Sequence, residues 1–358
     1  MLGSRTRFPT AGSIERAADR LIVGPAQSYV LLLLSNSIDG SADVLVGLCA
    51  ERRQPVFRLN IDLWINYRFA WTPSGFAIHD PSGRVAISNE ISACLWRRPS
   101  LRDTPAWQGG TSDDRAATEA ELHALVWELA EWARARRLLR LIDPSAPRRV
   151  GRLAQMRVAR AFFTVPDSVV GWGFRCPAGR RMVKRFATEA LGPSRDRYIF
   201  VQSVDAERLS PNYPWLTQDI ARGVRDATVL YVHGRCFAFE MERTRAELGA
   251  EDWRTLIGTD RDRWRLWDLP AGFPKRIVAY MEQLGLRFGR LDFLTGDGEP
   301  SFLEVNPNGQ FGWLDDPEGW ALHRAILDAA LDETSAIRGD ETVRELEPAN
   351  SRTYSAFS

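Results

Sequence analysis

Leu286-Arg287-Phe288-Gly289-Arg290-Leu291-Asp292-Phe293 and Ser301-Phe302-Leu303-Glu304-Val305-Asn306-Pro307-Asn308-Gly309-Gln310 are the two segments on which the reading of this chain turns. Between them lies Thr295-Gly296-Asp297-Gly298-Glu299-Pro300, a turn by composition, so the pair reads as a β-hairpin. Strand side chains alternate between faces, which puts Glu304 and Asn306 on one face and Leu303 and Val305 on the other. The same alternation places Phe302 with Glu304, which argues against a face fully washed by solvent. A hairpin folded symmetrically about Gly298 sets Asp292 across from Glu304. Asp292, Glu304 and Asn306 then converge as an oxygen-only ligand set, suited to a hard cation such as Mg²⁺ bridging carboxylates and phosphates. The competing reading is an ordinary surface hairpin. Ligand type, convergence and the polar continuation Asn306-Pro307-Asn308-Gly309-Gln310 favour the metal.

Composition sets the frame. The chain has 358 residues, enough for two or three packed units, and is 44% hydrophobic and 26% charged, as in a soluble globular protein. A formal net charge of +1 gives no global pull toward nucleic acid or membrane. The longest apolar run, Tyr29 to Leu34, is far too short to span a bilayer, and the N-terminus has no signal-peptide core, so a cytoplasmic location is expected. The cysteines at 49, 94, 176 and 236 lack metal spacing and read as buried thiols of a reducing compartment. Of 47 basic residues only Lys184 and Lys275 are lysines, which draws attention to both.

Along the chain, residues 1–27 read as a loose extension. Residues 28–145 read as an α/β unit: strands at Tyr29–Ser35 and Pro55–Leu59, a helix at Ser41–Arg52, a hairpin of Gly75–Ile78 with Arg84–Ser88, a strand at Ala93–Trp96 and a long helix over Thr111–Leu139. Pro144 and Pro147 mark a boundary. Residues 146–334 form a second α+β unit. Its expected elements are a helix over Arg148–Phe163, strands at Met182–Phe186, Tyr198–Val201, Trp215–Ile220, Ala227–Val232 and Cys236–Met241, a helix at Pro274–Leu284, the hairpin, and a closing helix at Pro317–Leu331. Residues 335–358 are polar and aperiodic, as in a disordered tail.

Three further segments carry candidate chemistry. Lys184 shares a strand face with Met182 and Phe186, placing it either to reach a buried phosphate or to snorkel at the surface. Gln218-Asp219-Ile220 ends a strand where exposed backbone can read an adenine edge, although a polar strand end is the simpler reading. Arg254 of Asp252-Trp253-Arg254 can hold a phosphate or a carboxylate bidentately, although a surface ion pair is simpler in so Arg-rich a chain. The histidines are isolated and are assigned no chemistry.

These pieces, in this order, resemble the ATP-grasp superfamily, and within it the microviridin-type ribosomal peptide ligases, or graspetide synthetases. Phe57-Arg58-Leu59-Asn60 and Leu95-Trp96-Arg97-Arg98-Pro99 are similar to that family's N-terminal domain. Asp252-Trp253-Arg254 is similar to its central motif, and the run Phe302 to Gln310 to its metal motif; the likeness covers roughly residues 28–333. The resemblance implies an ATP-grasp fold behind an N-terminal α/β pre-ATP-grasp domain, with two α+β subdomains gripping ATP. Mg²⁺ would be held by Asp292, Glu304 and Asn306. Lys184 would bind nucleotide phosphates, Gln218, Asp219 and Ile220 would form the adenine hinge, and Arg254 and Lys184 would be the catalytic cations. The implied reaction phosphorylates a side-chain carboxylate of a ribosomal precursor peptide; a Ser or Thr hydroxyl or a Lys amine then attacks, closing an ester or amide ring. A homodimer is one assembly consistent with it.

Two positions depart from that pattern. Arg152 stands where the family has a lysine bound to the nucleotide. Asp226-Ala227-Thr228 stands where it has an acidic residue, a spacer and an arginine, and Arg225 is the nearest guanidinium, one register away. Beside the peptide ligase, a ligase joining small-molecule or protein-tail carboxylates to amines, and a degenerate ATP-grasp partner that only binds peptide, remain as alternatives.

Overall fold

The computed structural model describes residues 30–99, 112–172, 178–184, 202–221, 223–243 and 263–332. Arg254, Cys176, the Tyr198–Val201 strand and both expected terminal tails lie outside them. The chain divides into two compact units, Met1–Pro144 with Pro317–Ile337, and Ser145–Asp316 with Arg338–Ser358.

In the first unit three parallel strands, β1 (Val30–Ser35), β2 (Val56–Asn60) and β6 (Ile91–Trp96), lie in the order β2-β1-β6. The run of leucines in β1 is buried on both faces, as parallel sheets require. Helix α1 (Gly40–Glu51) makes the crossover from β1 to β2, and Asp39 caps it by accepting from the Ser41 amide at 3.0 Å. The hairpin of β4 (Gly75–His79) and β5 (Val85–Ile87) forms as expected and gains a strand the sequence did not announce, β3 (Arg68–Thr72). Helix α2 (Ser112–Ala135) ends earlier than expected: Arg137 turns at φ 58° and Leu139 bridges to Cys94 beside β6. The helix Ala321–Leu331 packs on α1, with Arg52 to Asp328 at 2.6 Å and Arg324 to Glu51 at 2.9 Å. It thus joins the first unit rather than the second, into which its place in the chain would put it. Of the Leu95–Pro99 motif, Arg97 is buried at 2% exposure, where desolvation lowers its pKa to about 10 against the pull of Asp39.

The second unit starts with one helical turn, Ala146–Arg149, and then helix α3 (Arg152–Ala159). A single helix over Arg148–Phe163 was expected. Gly151 breaks it, its extended backbone (ψ 163°) serving as the N-cap of α3. Strands β7 (Ser168–Gly171), β8 (Arg180–Lys184), β9 (Gln202–Asp205) and β10 (Trp215–Gln218) form an antiparallel sheet ordered β7-β10-β8-β9. A second antiparallel sheet, ordered β13-β12-β11-β14-β15, contains β11 (Arg225–Val232), β12 (Arg235–Glu242), β13 (Arg265–Leu266), β14 (Phe288–Thr295) and β15 (Ser301–Asn306). Helices α3 and α4 (Phe273–Gln283) cover one face of it, enclosing Ala227, Val229, Leu291, Phe293, Phe302, Val305, Ile277 and Tyr280 in one aromatic-rich core. Phe163, Phe293 and Phe302 meet there, the last two 5.7 Å apart edge to face.

Among the described residues no helix is long and apolar enough to cross a membrane.

Candidate metal and nucleotide site

The hairpin register places Asp292 opposite Glu304, as the symmetric turn predicts, and Arg290 opposite Asn306. One step further the pairing shifts to Phe293 with Phe302, so Leu303 is an extra residue in a β-bulge. The bulge corrects the expected faces. Phe302 points into the core with Val305 rather than sharing the face of Glu304, and Leu303 is only partly buried. The bulge therefore lets Glu304 turn away from the core although it lies two residues from a core phenylalanine.

On that other face the side-chain heads converge. Asn306 Nδ2 donates to Asp292 Oδ2 at 3.3 Å and to Glu304 Oε1 at 3.2 Å, so one amide spans both carboxylates. Arg290 forks onto Asp292, Nε to Oδ1 at 3.1 Å and Nη2 to Oδ2 at 3.0 Å. Arg290 Nη1 also donates to the Gln310 carbonyl at 3.0 Å, tying the loop after β15 to the site. Gly309 makes that tie possible: a Cβ there would lie 2.7 Å from Arg290 Cβ and 3.3 Å from Asn306 Cβ. From β11, paired with β14 so that Thr228 faces Asp292, the Thr228 hydroxyl donates to Asp292 Oδ1 at 2.9 Å.

Glu304 is paired with Arg152, at the first position of α3. Burial alone would raise its pKa. The charges of Arg152 and Lys184 and the hydrogen bonds from Arg152 and Asn306 outweigh burial and hold it well below the usual carboxylate range. Lys184, on β8 of the other sheet, is thus near enough to act on Glu304. Helix α3 is fixed against β15 by Gln155, buried at 6% exposure, whose Oε1 accepts the Val305 amide at 3.1 Å and whose Nε2 donates to the Val150 carbonyl at 3.0 Å.

The structure thus brings together Arg152, Lys184, Asp292, Glu304 and Asn306. The residue types fit a hard divalent cation: two carboxylates, one of them held anionic, and a carboxamide whose oxygen can ligate, although here its Nδ2 is the atom that donates to both carboxylates. Among the described residues no group of three or more His, Cys, Asp or Glu could hold a metal; this site has two carboxylates and an amide. The expected adenine segment is placed differently in detail. Gln218 is buried and donates to Ser168 Oγ at 3.0 Å. The Asp219 amide donates to the Asp167 carbonyl at 2.8 Å and its carboxylate pairs with Arg181. Ile220, at 47% exposure, is the open part of the segment. Arg225 does not replace the missing arginine: it lies on the opposite strand face from Asp226 and pairs with Glu240 at 3.2 Å. Asp226 is clamped instead by Arg243, at 2.6 and 2.7 Å.

Sequence reasoning missed Arg290, Gln155 and Arg243. Arg290 was findable, since it lies two residues before Asp292 and so on the same strand face. Gln155 follows Arg152 by about one helical turn, a weaker signal. Arg243 had none, because its partner lies across a hairpin.

At the level of sequence, no family model and no curated protein matches the chain. Solved structures do. A RiPP-associated ATP-grasp ligase of Chryseobacterium gregarium, in complex with ADP and a leader and core peptide, superposes with TM-score 0.72 at 18% identity over 84% of this chain and 96% of its own. Macrocyclase MdnC of Microcystis aeruginosa MRC, bound with precursor peptide MdnA, gives 0.68 at 20% identity over 85% and 99%. ATP-grasp ligase PsnB, with a phosphomimetic variant of a minimal precursor, Mg and ADP, gives 0.60 at 15% identity over 87% and 100%. At such identities the likeness is one of fold, and the fold of this chain is ATP-grasp.

Proposed function

We propose that this ATP-grasp chain is an ATP- and Mg²⁺-dependent ligase that activates side-chain carboxylates of a ribosomal precursor peptide and closes them into ester or amide cross-links. One observation carries the reading: Asp292, Glu304 and Asn306 converge on one sheet face with Arg152 and Lys184 beside them. The peptide complexes of the structural neighbours support the choice of a peptide over a free amino acid.

Bound Mg-ATP would supply the phosphoryl group that makes a carboxylate electrophilic, and the cation would neutralise charge on the phosphate oxygens. Asp292, Glu304 and Asn306 would hold the metal. Lys184 and Arg152 would orient phosphate oxygens and stabilise negative charge as it develops. Arg152 is positioned for this by Gln155, and Arg290 fixes the rotamer of Asp292. The segment Gln218–Ile220 would border the base, Ile220 offering it an apolar surface. Arg254 is proposed as a further cation toward the phosphate or the substrate carboxylate. The peptide would carry Asp or Glu as acceptor and Ser, Thr or Lys as nucleophile; a homodimer in the cytoplasm is the proposed working form.

The test is incubation with Mg-ATP and an acidic, Ser/Thr-rich peptide encoded beside the gene. Loss of water from the peptide with matching ADP release is expected, and neither without Mg²⁺. Turnover with free amino acids and no leader would point instead to the small-molecule or protein-tail ligase. Arg152 and Thr228 favour one rival, the degenerate partner; peptide binding without ATP turnover, unchanged in Glu304→Ala, would establish it.

A further inference from the structure

Thr228 stands where the family resemblance calls for an arginine, and the simplest account of that change is loss. The geometry gives it a use. Asp292 accepts four hydrogen bonds, as many as its two oxygens have acceptor directions, so a cation would have to take the place of one of them, Asn306 Nδ2 at 3.3 Å being the longest. Oδ1 takes Thr228 Oγ1 at 2.9 Å and Arg290 Nε at 3.1 Å; Oδ2 takes Arg290 Nη2 at 3.0 Å and Asn306 Nδ2 at 3.3 Å. Arg290 and Asn306 reach Asp292 from its own hairpin, β14 and β15. Thr228 alone reaches it from the neighbouring strand β11, directly across the register. Its side chain is at 2% exposure, and its hydroxyl lies 3.3 Å from the Leu291 carbonyl as well, so it is held in place by the strand it serves. Neutral, short and β-branched, it adds a hydrogen bond without adding charge, which a guanidinium at this position would do.

We infer that Thr228 is a positioning residue for the divalent cation, fixing the Asp292 carboxylate from β11 so that the metal meets it in one orientation. This rests on the metal reading of Asp292, Glu304 and Asn306. Groups that orient a ligating carboxylate typically change metal affinity by about 10- to 100-fold when removed.

The measurement is a Mn²⁺ titration of the full chain, free Mn²⁺ being counted by its solution EPR signal without nucleotide, so that only the protein can take up the ion. Wild type, Glu304→Gln, Thr228→Val and Thr228→Ser are compared, with thermal unfolding of each recorded alongside. Thr228→Val keeps the shape and deletes the hydroxyl; its dissociation constant is expected to rise about tenfold or more. Thr228→Ser, which restores the hydroxyl, is expected to bind as wild type does. Thr228→Ala repeats the deletion with less bulk should the valine variant not fold. If Thr228→Val binds as tightly as wild type, or Thr228→Ser is as weak as Thr228→Val, the inference is overturned while the metal reading stands. If wild type shows no Mn²⁺ site, or Glu304→Gln leaves it intact, the metal reading itself fails and takes the inference with it.

Discussion

Gln155→Leu should destabilise the second unit while leaving the first untouched. The substitution nearly conserves volume but removes two hydrogen bonds, one that pins α3 to the edge strand β15 and one that ties the helix to Val150 just before its start. Val305 N–H would lose its acceptor at 3.1 Å and the Val150 carbonyl its donor at 3.0 Å, at residues each only 2% exposed. A buried polar group left unpaired costs roughly 1–3 kcal/mol, so the pair sums to about 2–6 kcal/mol. Burial of a leucine in place of the amide returns about 1–2 kcal/mol of that. Taking the middle of each range leaves a net loss of about 2.5 kcal/mol, and at about 2–4 °C per kcal/mol for a unit of this size Tm should fall by roughly 5–10 °C. Calorimetry suits the test, since two compact units can melt separately: only the transition of the unit containing β15 should move. Because Arg152 starts the same helix, Mg-ATP turnover should fall with it. A shift below about 1 °C would refute the reasoning, because the Val305 amide would then have found another partner on its own.

Three other outcomes are expected. Glu304→Gln should keep the fold and lower metal-dependent ADP release by at least about 100-fold, since a ligand matters no less than the groups that orient it; a coupled ADP assay decides. Gly309→Ala places a methyl 2.7 Å from Arg290 Cβ, so Arg290 must move off its fork on Asp292; a loss of about 1–3 kcal/mol in urea unfolding, with weakened Mn²⁺ binding, is expected. In the first unit, burial pushes the Asp80 pKa up but donors from Ser82 and Arg84 outweigh it and leave it lowered. Its contribution is therefore present above the unfolded-state value of about 3.9 and lost as pH falls through the folded value. Asp80→Asn should destabilise at pH 7, and urea midpoints at about pH 3 should show the difference from wild type shrinking.

Much of the fold was legible because it rests on local signals. The leucine run of β1, the turn residues between β14 and β15, and the amphipathic helices all announce themselves in short windows. What stayed hidden was set by partners far away in sequence. The bulge at Leu303 is invisible to alternation because leucine suits either face, and only the pairing with β14 shows that Phe302 and Val305 share the core. Strand β3 has residues that fit a strand but takes its place only by pairing with β4. The site followed the same division. Asp292, Glu304 and Asn306 lie in one hairpin and could be read together. The contacts that tune them, from Arg152 on a helix, Lys184 on another sheet and Thr228 on β11, depend on packing that no spacing encodes.

That division bears on the two departures. Judged by spacing, Arg for Lys at 152 and Thr for Arg at 228 look like damage on the far side of the site. Judged by contact, each is engaged: Arg152 with Glu304, Thr228 with Asp292. Arg152 keeps a positive charge and adds planar, fixed donor geometry, which suits a carboxylate or a phosphate better than an ammonium does. Thr228 withdraws a charge that Arg290, already forked on Asp292, makes redundant there. Arg152, Lys184 and Arg290 then stand against two carboxylates, a small excess of positive charge before any metal arrives. A divalent cation bound as proposed would raise that excess to a level a polyphosphate can neutralise, whereas a further arginine at 228 would add repulsion at Asp292, the proposed ligand. The two changes are better explained as a redistribution of charge and hydrogen bonds around the proposed metal hairpin than as its decay.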